Sequence, residues 1–223
     1  MMLRKILVGA MCLCLAVAIA PVFAANGDNL RTIIADRTGT DCVTTGPSGS
    51  HSSVGVGVAY NGVNLLLSCY SDDTVTAVSP ADGSQVMVHH ITGASALGAL
   101  AWDSTNTQLW ACSGFDTVGI VDLTANTFTP KFTTTSVIFG DGSPGSGCFD
   151  GLAYDGMDNT IWASGDANDR LNHYSTTGAP ISATNGMTGK LGGCGNSGIA
   201  VGGTNLYLAN DVVARKSTRP TRA

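Results

Sequence analysis

Polar and apolar residues alternate in short runs along most of this chain, separated by turns of Gly, Asn, Asp, Ser and Thr. Thr74 to Val78 and Thr117 to Val121 alternate as half-buried strands do. Four apolar segments share one shape: Gly57-Val58-Ala59-Tyr60, Ala99-Leu100-Ala101-Trp102, Gly151-Leu152-Ala153-Tyr154 and Gly198-Ile199-Ala200-Val201. Their central alanines lie at 59, 101, 153 and 200, in steps of 42, 52 and 47 residues. A polar turn and a second apolar strand follow each segment: Leu65 to Cys69, Leu109 to Cys112, Ile161 to Ser164 and Leu206 to Ala209. In the first three units an acidic turn then leads into a third strand: Thr74 to Val78, Thr117 to Val121 and Arg170 to Tyr174. Three or four strands in a unit of about 40–50 residues predict the blades of an all-β propeller. The small alanine suits an innermost strand, where blades crowd the axis, and the larger Leu, Trp and Tyr suit the packing further out. A β-sandwich with accidental internal similarity is the competing architecture.

One stretch breaks the pattern. Ile6 to Ala20 is apolar or small throughout, follows Arg4 and Lys5, and ends at Pro21 before Val22-Phe23-Ala24. This is the layout of a signal peptide over residues 1–24, with cleavage after Ala24 or Ala25. The run is shorter than the ~20 residues a membrane helix needs, so no membrane span is expected after cleavage. A secreted or periplasmic destination follows. Residues 25–211 then hold the blades, and residues 212–223 form a basic tail expected to be disordered.

Composition sharpens this picture. All 16 acidic residues are Asp and none is Glu, against 11 Lys and Arg, for a net charge of −5. Asp favours turns where Glu favours helices. Five cysteines lie beyond the leader: Cys42, Cys69, Cys112, Cys148 and Cys194. Export makes disulfides expected, and an odd number leaves one over. Cys42–Cys69 and Cys112–Cys148 are the expected pairs, each linking a second strand to an inner-strand entry, although five cysteines permit fifteen two-pair connectivities.

Asp116-Thr117-Val118-Gly119-Ile120-Val121-Asp122 resembles the YVTN-type propeller repeat, as does Leu206-Tyr207-Leu208-Ala209-Asn210. Leu152-Ala153-Tyr154-Asp155-Gly156 resembles NHL-type and, more distantly, gluconolactonase-like propellers. The likeness runs over residues 54–211. It implies a ring of six or seven blades, so about four recognisable blades read as an incomplete version of that ring. Cys194 agrees, because no later cysteine could serve it. A true four-bladed ring closed by an N-terminal strand from Leu30 to Ala35 is the alternative.

In a propeller the second-to-third-strand turns share one face with the links between blades. Asp72, Asp73, Asp116, Asp141, Asp150, Asp166, Asp169 and Asp211, with Asn168 and Asn196, sort onto that face. Asp82, Asp103, Asp155 and Asp158 sort onto the other. Asp72, Asp116, Asp150, Asp166, Asp169 and Asn196 are therefore the candidate binding residues. Their surface would attract cations or basic partners and repel nucleic acid. Tight turns alone also call for Asp and Asn. No cofactor is expected, with calcium the one candidate ion.

Catalytic patterns are absent. There is no Gly-x-Ser-x-Gly elbow, and no Cys-x-x-Cys pair for zinc. His89 and His90 are neighbours on a strand and point to opposite faces. The metal and acid–base residues that gluconolactonase-like and streptogramin-lyase-like propellers use include a Glu, which this chain lacks. The expected function is a secreted, non-catalytic binding or scaffold module that offers its inter-blade loops to a protein or glycan. A calcium-dependent hydrolase or lyase is the alternative.

Overall fold

The computed structural model describes residues 35–40, 42, 57–165, 168–184 and 196–210, with backbone alone at 168, 169, 184, 196, 197 and 210. The expected leader, the basic tail and Cys194 lie outside these residues, as does all of the Leu30 to Ala35 strand but Ala35, which is not in a strand.

Polar turns no more than a few residues long force each apolar run to fold back on its predecessor, so the chain builds antiparallel meanders. The first comprises β1 (Val58–Tyr60), β2 (Leu65–Cys69), β3 (Thr74–Val78) and β4 (Gln85–His90). The second comprises β5 (Leu97–Asp103), β6 (Gln108–Ser113), β7 (Thr117–Asp122) and β8 (Thr127–Thr133). The third comprises β9 (Gly151–Asp155), β10 (Thr160–Gly165), β11 (Asn168–Ser175) and β12 (Pro180–Thr184). The fourth shows β13 (Asn196–Gly202) and β14 (Asn205–Asn210).

The register is the same in every unit. Ala59 opposes Leu66, Ala101 opposes Trp110, Ala153 opposes Trp162 and Ala200 opposes Tyr207. Because side chains alternate between faces, this fixes which residues look forward to the next sheet and which look back. Forward residues Ala59, Leu66, Val75 and Ala77 of the first sheet pack on rear residues Leu100, Leu109, Ala111 and Val121 of the second. Ala101, Trp110, Cys112 and Val118 pack on Leu152, Tyr154, Ile161 and Ala163 of the third. Trp162 and Leu171 pack on Ile199, Val201, Leu206 and Leu208 of the fourth. The core is thus three repeats of one front-on-back contact, and the inner strands β1, β5, β9 and β13 run beside one another.

The inner strands approach closely enough to exclude a side chain. A Cβ on Gly57 would lie 2.5 Å from the Gly98 carbonyl, and one on Gly98 would lie 2.5 Å from the Phe149 carbonyl. Hydrogen bonds follow the same path: Ala99 N–H donates to the Phe149 carbonyl at 2.7 Å, and the Ser68 hydroxyl donates to the Gly98 carbonyl at 2.6 Å.

The expected cysteine pairs are the two disulfides of the structure, Cys42–Cys69 and Cys112–Cys148. The second ties β6 to the segment entering β9. Closing its loop of 36 residues is worth about 4 kcal/mol in the chain-entropy picture. The fourth strands carry no clear alternation, and β8 holds Pro130 opposite Gly119 at a bulge. An edge strand tolerates that missing donor.

Candidate functional site

The meander places β2–β3, β6–β7 and β10–β11 turns at one end of the sheets, together with the β4–β5 and β8–β9 links. Asp72, Asp73, Asp116 and Asp150 all lie at this end. Asp166 is outside the described residues, and for Asp169 and Asn196 only the backbone is described, at this same end.

Each acid has local work. Asp72 accepts from the Thr74 N–H at 3.2 Å and hydroxyl at 2.7 Å. Asp73 sits at φ 52°, in the left-handed region, and accepts from the Leu97 N–H at 3.1 Å, tying the first sheet's turn to the entry of the second. Asp116 accepts from the hydroxyls of Thr117 at 3.3 Å and Thr135 at 2.5 Å. Asp150 is half-buried directly before β9. Among the described residues no group of three or more His, Cys or Asp side chains is arranged to hold a metal ion.

Two arginines reach this end. Arg37, which composition did not single out, donates to the Ser68 carbonyl at 2.7 Å and is attracted by the Asp72 charge. Arg170 is 7% exposed and pairs with Asp141 at 3.1 Å. It also donates to Ser143 and to the Pro144 carbonyl, and stacks over the Phe139 ring at 4.9 Å. Its charge is therefore spent inside the β8–β9 link. Hydrogen bonds from Ser143, and then the Arg170 charge, hold the Asp141 carboxyl well below the usual carboxylate range.

The feature that sequence reasoning missed is aromatic. Tyr70 from the β2–β3 turn, Phe115 from the β6–β7 turn and Phe149 from the entry to β9 meet on this face. Tyr70 and Phe149 stand edge to face with centroids 5.6 Å apart, and Phe115 and Phe149 are 5.3 Å apart. Phe115 is 69% exposed and Tyr70 41%. Three rings from three successive sheets thus form one accessible apolar patch, and Asp72, Asp73, Asp116 and Asp150 lie in the same turns and entries. The only signal in sequence was an aromatic residue close to an Asp: Tyr70 before Asp72, Phe115 before Asp116, Phe149 before Asp150.

The opposite end behaves differently. Asp103 and Asp155 are fully buried and cap their own turns; Asp103 accepts from the N–H groups of Thr105 and Asn106, both at 2.9 Å. Asp158 accepts from the Thr160 hydroxyl at 2.5 Å, and Asp82 from the Ser84 hydroxyl at 2.8 Å. A polar cleft of about 350 Å³ opens here between the second and third sheets, lined by Gln108, Lys131, Asn159 and Thr177 among others. His89 and His173 are structural. His89 meets Asn126 at 2.9 Å, and His173 stacks flat on Trp162 at 3.8 Å while bonding Thr160 at 2.7 Å. Among the described residues no helix is long and apolar enough to cross a membrane.

No family model matches the chain, and no curated protein does. Solved structures do. Glutaminyl cyclase of Myxococcus xanthus is 15% identical with a TM-score of 0.50, over 71% of this chain and 62% of that one. Hydrazine synthase of Kuenenia stuttgartiensis is 16% identical with a TM-score of 0.48, over 72% of this chain and 43% of that one. A chain of the nidogen/laminin complex is 10% identical with a TM-score of 0.48, over 71% of this chain and 72% of that one. This chain therefore spans well under two thirds of the hydrazine synthase chain and somewhat under two thirds of the cyclase. Four consecutive antiparallel sheets, stacked front on back with their first strands side by side, make this chain a β-propeller protein.

Proposed function

We propose that this chain is a non-catalytic binding or scaffold module of the YVTN/NHL-like kind that presents its inter-blade face to a basic protein partner outside the cytoplasm. The observation that carries the reading is the patch in which exposed Tyr70 and Phe115 meet half-buried Phe149 among carboxylates, on a face assembled from three blades. Exposed aromatic rings are costly to leave in water and are enriched where proteins bind one another. Surrounding carboxylates favour a partner carrying Lys or Arg, by steering its approach and excluding acidic competitors. A rigid β scaffold holds such loops in place before the partner arrives, which lowers the entropic cost of binding. The apolar run at residues 6–20 and the two disulfides support export to an oxidising compartment.

The test is selection of a random peptide phage library on the full chain. Enriched peptides should carry Lys or Arg beside aromatic residues. Their binding should fall at least tenfold for Phe115→Ser and should weaken with rising salt. Peptides without basic residues, or binding indifferent to Phe115→Ser, contradict the reading. A glycan array run in parallel shows whether sugars occupy the patch instead. A calcium-dependent rise in melting temperature would favour the metal-dependent hydrolase or lyase, since an ion bound only by the folded state must stabilise it.

A further inference from the structure

The repeated register assigns a role to two faces that the inter-blade face does not use. The rear positions of the second, third and fourth blades are filled by Leu100, Leu109 and Ala111, by Leu152, Ile161 and Ala163, and by Ile199, Leu206 and Leu208. In the second and third blades all six of these residues are 3% exposed or less. The first blade carries Val58, Tyr60, Leu65 and Leu67 at the corresponding places. Val58 is 61% exposed and Tyr60 53%, while Leu65 and Leu67 are half-buried. The forward positions show the same contrast. Leu66 and Trp110 are 1% and 3% exposed, whereas Tyr207, in the equivalent place on the fourth blade, is 40% exposed and Ala200 beside it is exposed.

Among the described residues, the first blade thus shows a rear face with no front packed on it, and the fourth a front face with no rear packed on it. None of Val58, Tyr60, Leu65, Leu67, Ala200 and Tyr207 is charged, as at the three internal contacts. We propose that these two faces join between two copies of this chain, the fourth blade of one seating on the first blade of the other. A second copy is the occupant favoured because it supplies both halves of a contact that the chain already makes three times in succession. Tyr207 would lie against Val58 and Leu67 as Trp110 lies against the third blade. The contact is head to tail, so two copies close a ring if the rotation permits, and otherwise the chain extends.

Sedimentation of the full chain over a concentration series tests this. A dimer or larger assembly is expected. Tyr60→Asp and Tyr207→Asp should each give a monomer, and an equimolar mixture of the two should recover a dimer, because each variant retains the face that the other lacks. A wild-type monomer at every concentration overturns the proposal. A Tyr207→Asp variant that still dimerises overturns it too, since that outcome marks a rear-to-rear contact. Unchanged far-ultraviolet circular dichroism confirms folding of each variant. If Tyr60→Asp does not fold, Val58→Asp carries the same test.

Discussion

Every carboxylate in this chain is an aspartate, and the turns give a physical reason. Asp36, Asp72, Asp82, Asp141 and Asp158 each accept from the hydroxyl of a Ser or Thr two residues later. A side chain one methylene longer would carry its carboxylate past that donor. Hydrogen bonds of this kind favour the ionised form. The carboxyls of Asp36 and Asp141 accordingly sit below their ordinary value of 3.8 in the folded state, and backbone N–H donors, from Ser84 to Asp82 and from Ala125 and Thr124 to Asp122, lower those two as well. A depressed folded-state value means stability that is fully present above the unfolded value and lost as pH falls through the folded one. The protein should therefore lose stability progressively below about pH 4. Asp141→Asn should flatten that acid limb in denaturant titrations at stepped pH; an unchanged limb would contradict the assignment. Tyr174 supplies a second test. Its side chain is 0% exposed, burial pushes its phenol upward, and its hydroxyl has no hydrogen-bond partner among the described residues. A buried polar group without a partner costs about 1–3 kcal/mol. Tyr174→Phe should unfold at equal or higher denaturant concentration than the wild type, and a marked loss of stability would show that the hydroxyl is satisfied after all.

At the scale of the element, the recurring alanine was a sound guide because it reports a steric fact. Ala59, Ala101 and Ala153 are each at most 8% exposed on inner strands that crowd one another. Second and third strands were legible because alternate residues turn to opposite faces, although β3 is buried at all five positions instead of half-buried, since a blade lies between neighbours and its polar Thr74 and Thr76 are enclosed too. β2 and β3 of the first blade match the expected bounds, Leu65–Cys69 and Thr74–Val78. The fourth strands were not legible. Val86 and Met87 of β4 are more than half exposed, so nothing selects alternation there. Close approach between inner strands gives the prediction that belongs to this scale. Gly98→Ala places a methyl group 2.5 Å from the Phe149 carbonyl and 2.6 Å from its ring, and relieving that contact by backbone movement costs about 1–3 kcal/mol. Gly140→Ala meets nothing within 4 Å and should change stability by less than about 0.5 kcal/mol. Equal effects from the two substitutions in chemical unfolding would contradict the inner-strand geometry.

At the scale of the whole molecule, topology fixes which end of the sheets the acidic turns occupy, and sequence sufficed to sort Asp72, Asp73, Asp116 and Asp150 to it, while Asp166 and Asp211 lie outside the described residues. It did not suffice to find Tyr70, Phe115 and Phe149. These residues are dozens of positions apart and occupy places that are not equivalent in their blades, so no periodicity links them. Only the stacking of one blade on the next brings the rings within 5.3 and 5.6 Å. The partners of Arg37 and Arg170 were hidden for the same reason, since they lie 31 and 29 residues away. The proposed binding surface and the proposed head-to-tail contact both depend on this stacking. A nuclear Overhauser spectrum of the isotope-labelled full chain tests it most directly. Cross-peaks should link Gly57 to Gly98 and Leu100, Gly98 to Phe149, and the Phe149 ring to the rings of Tyr70 and Phe115. Strong peaks within each meander but none of these between meanders would contradict the account.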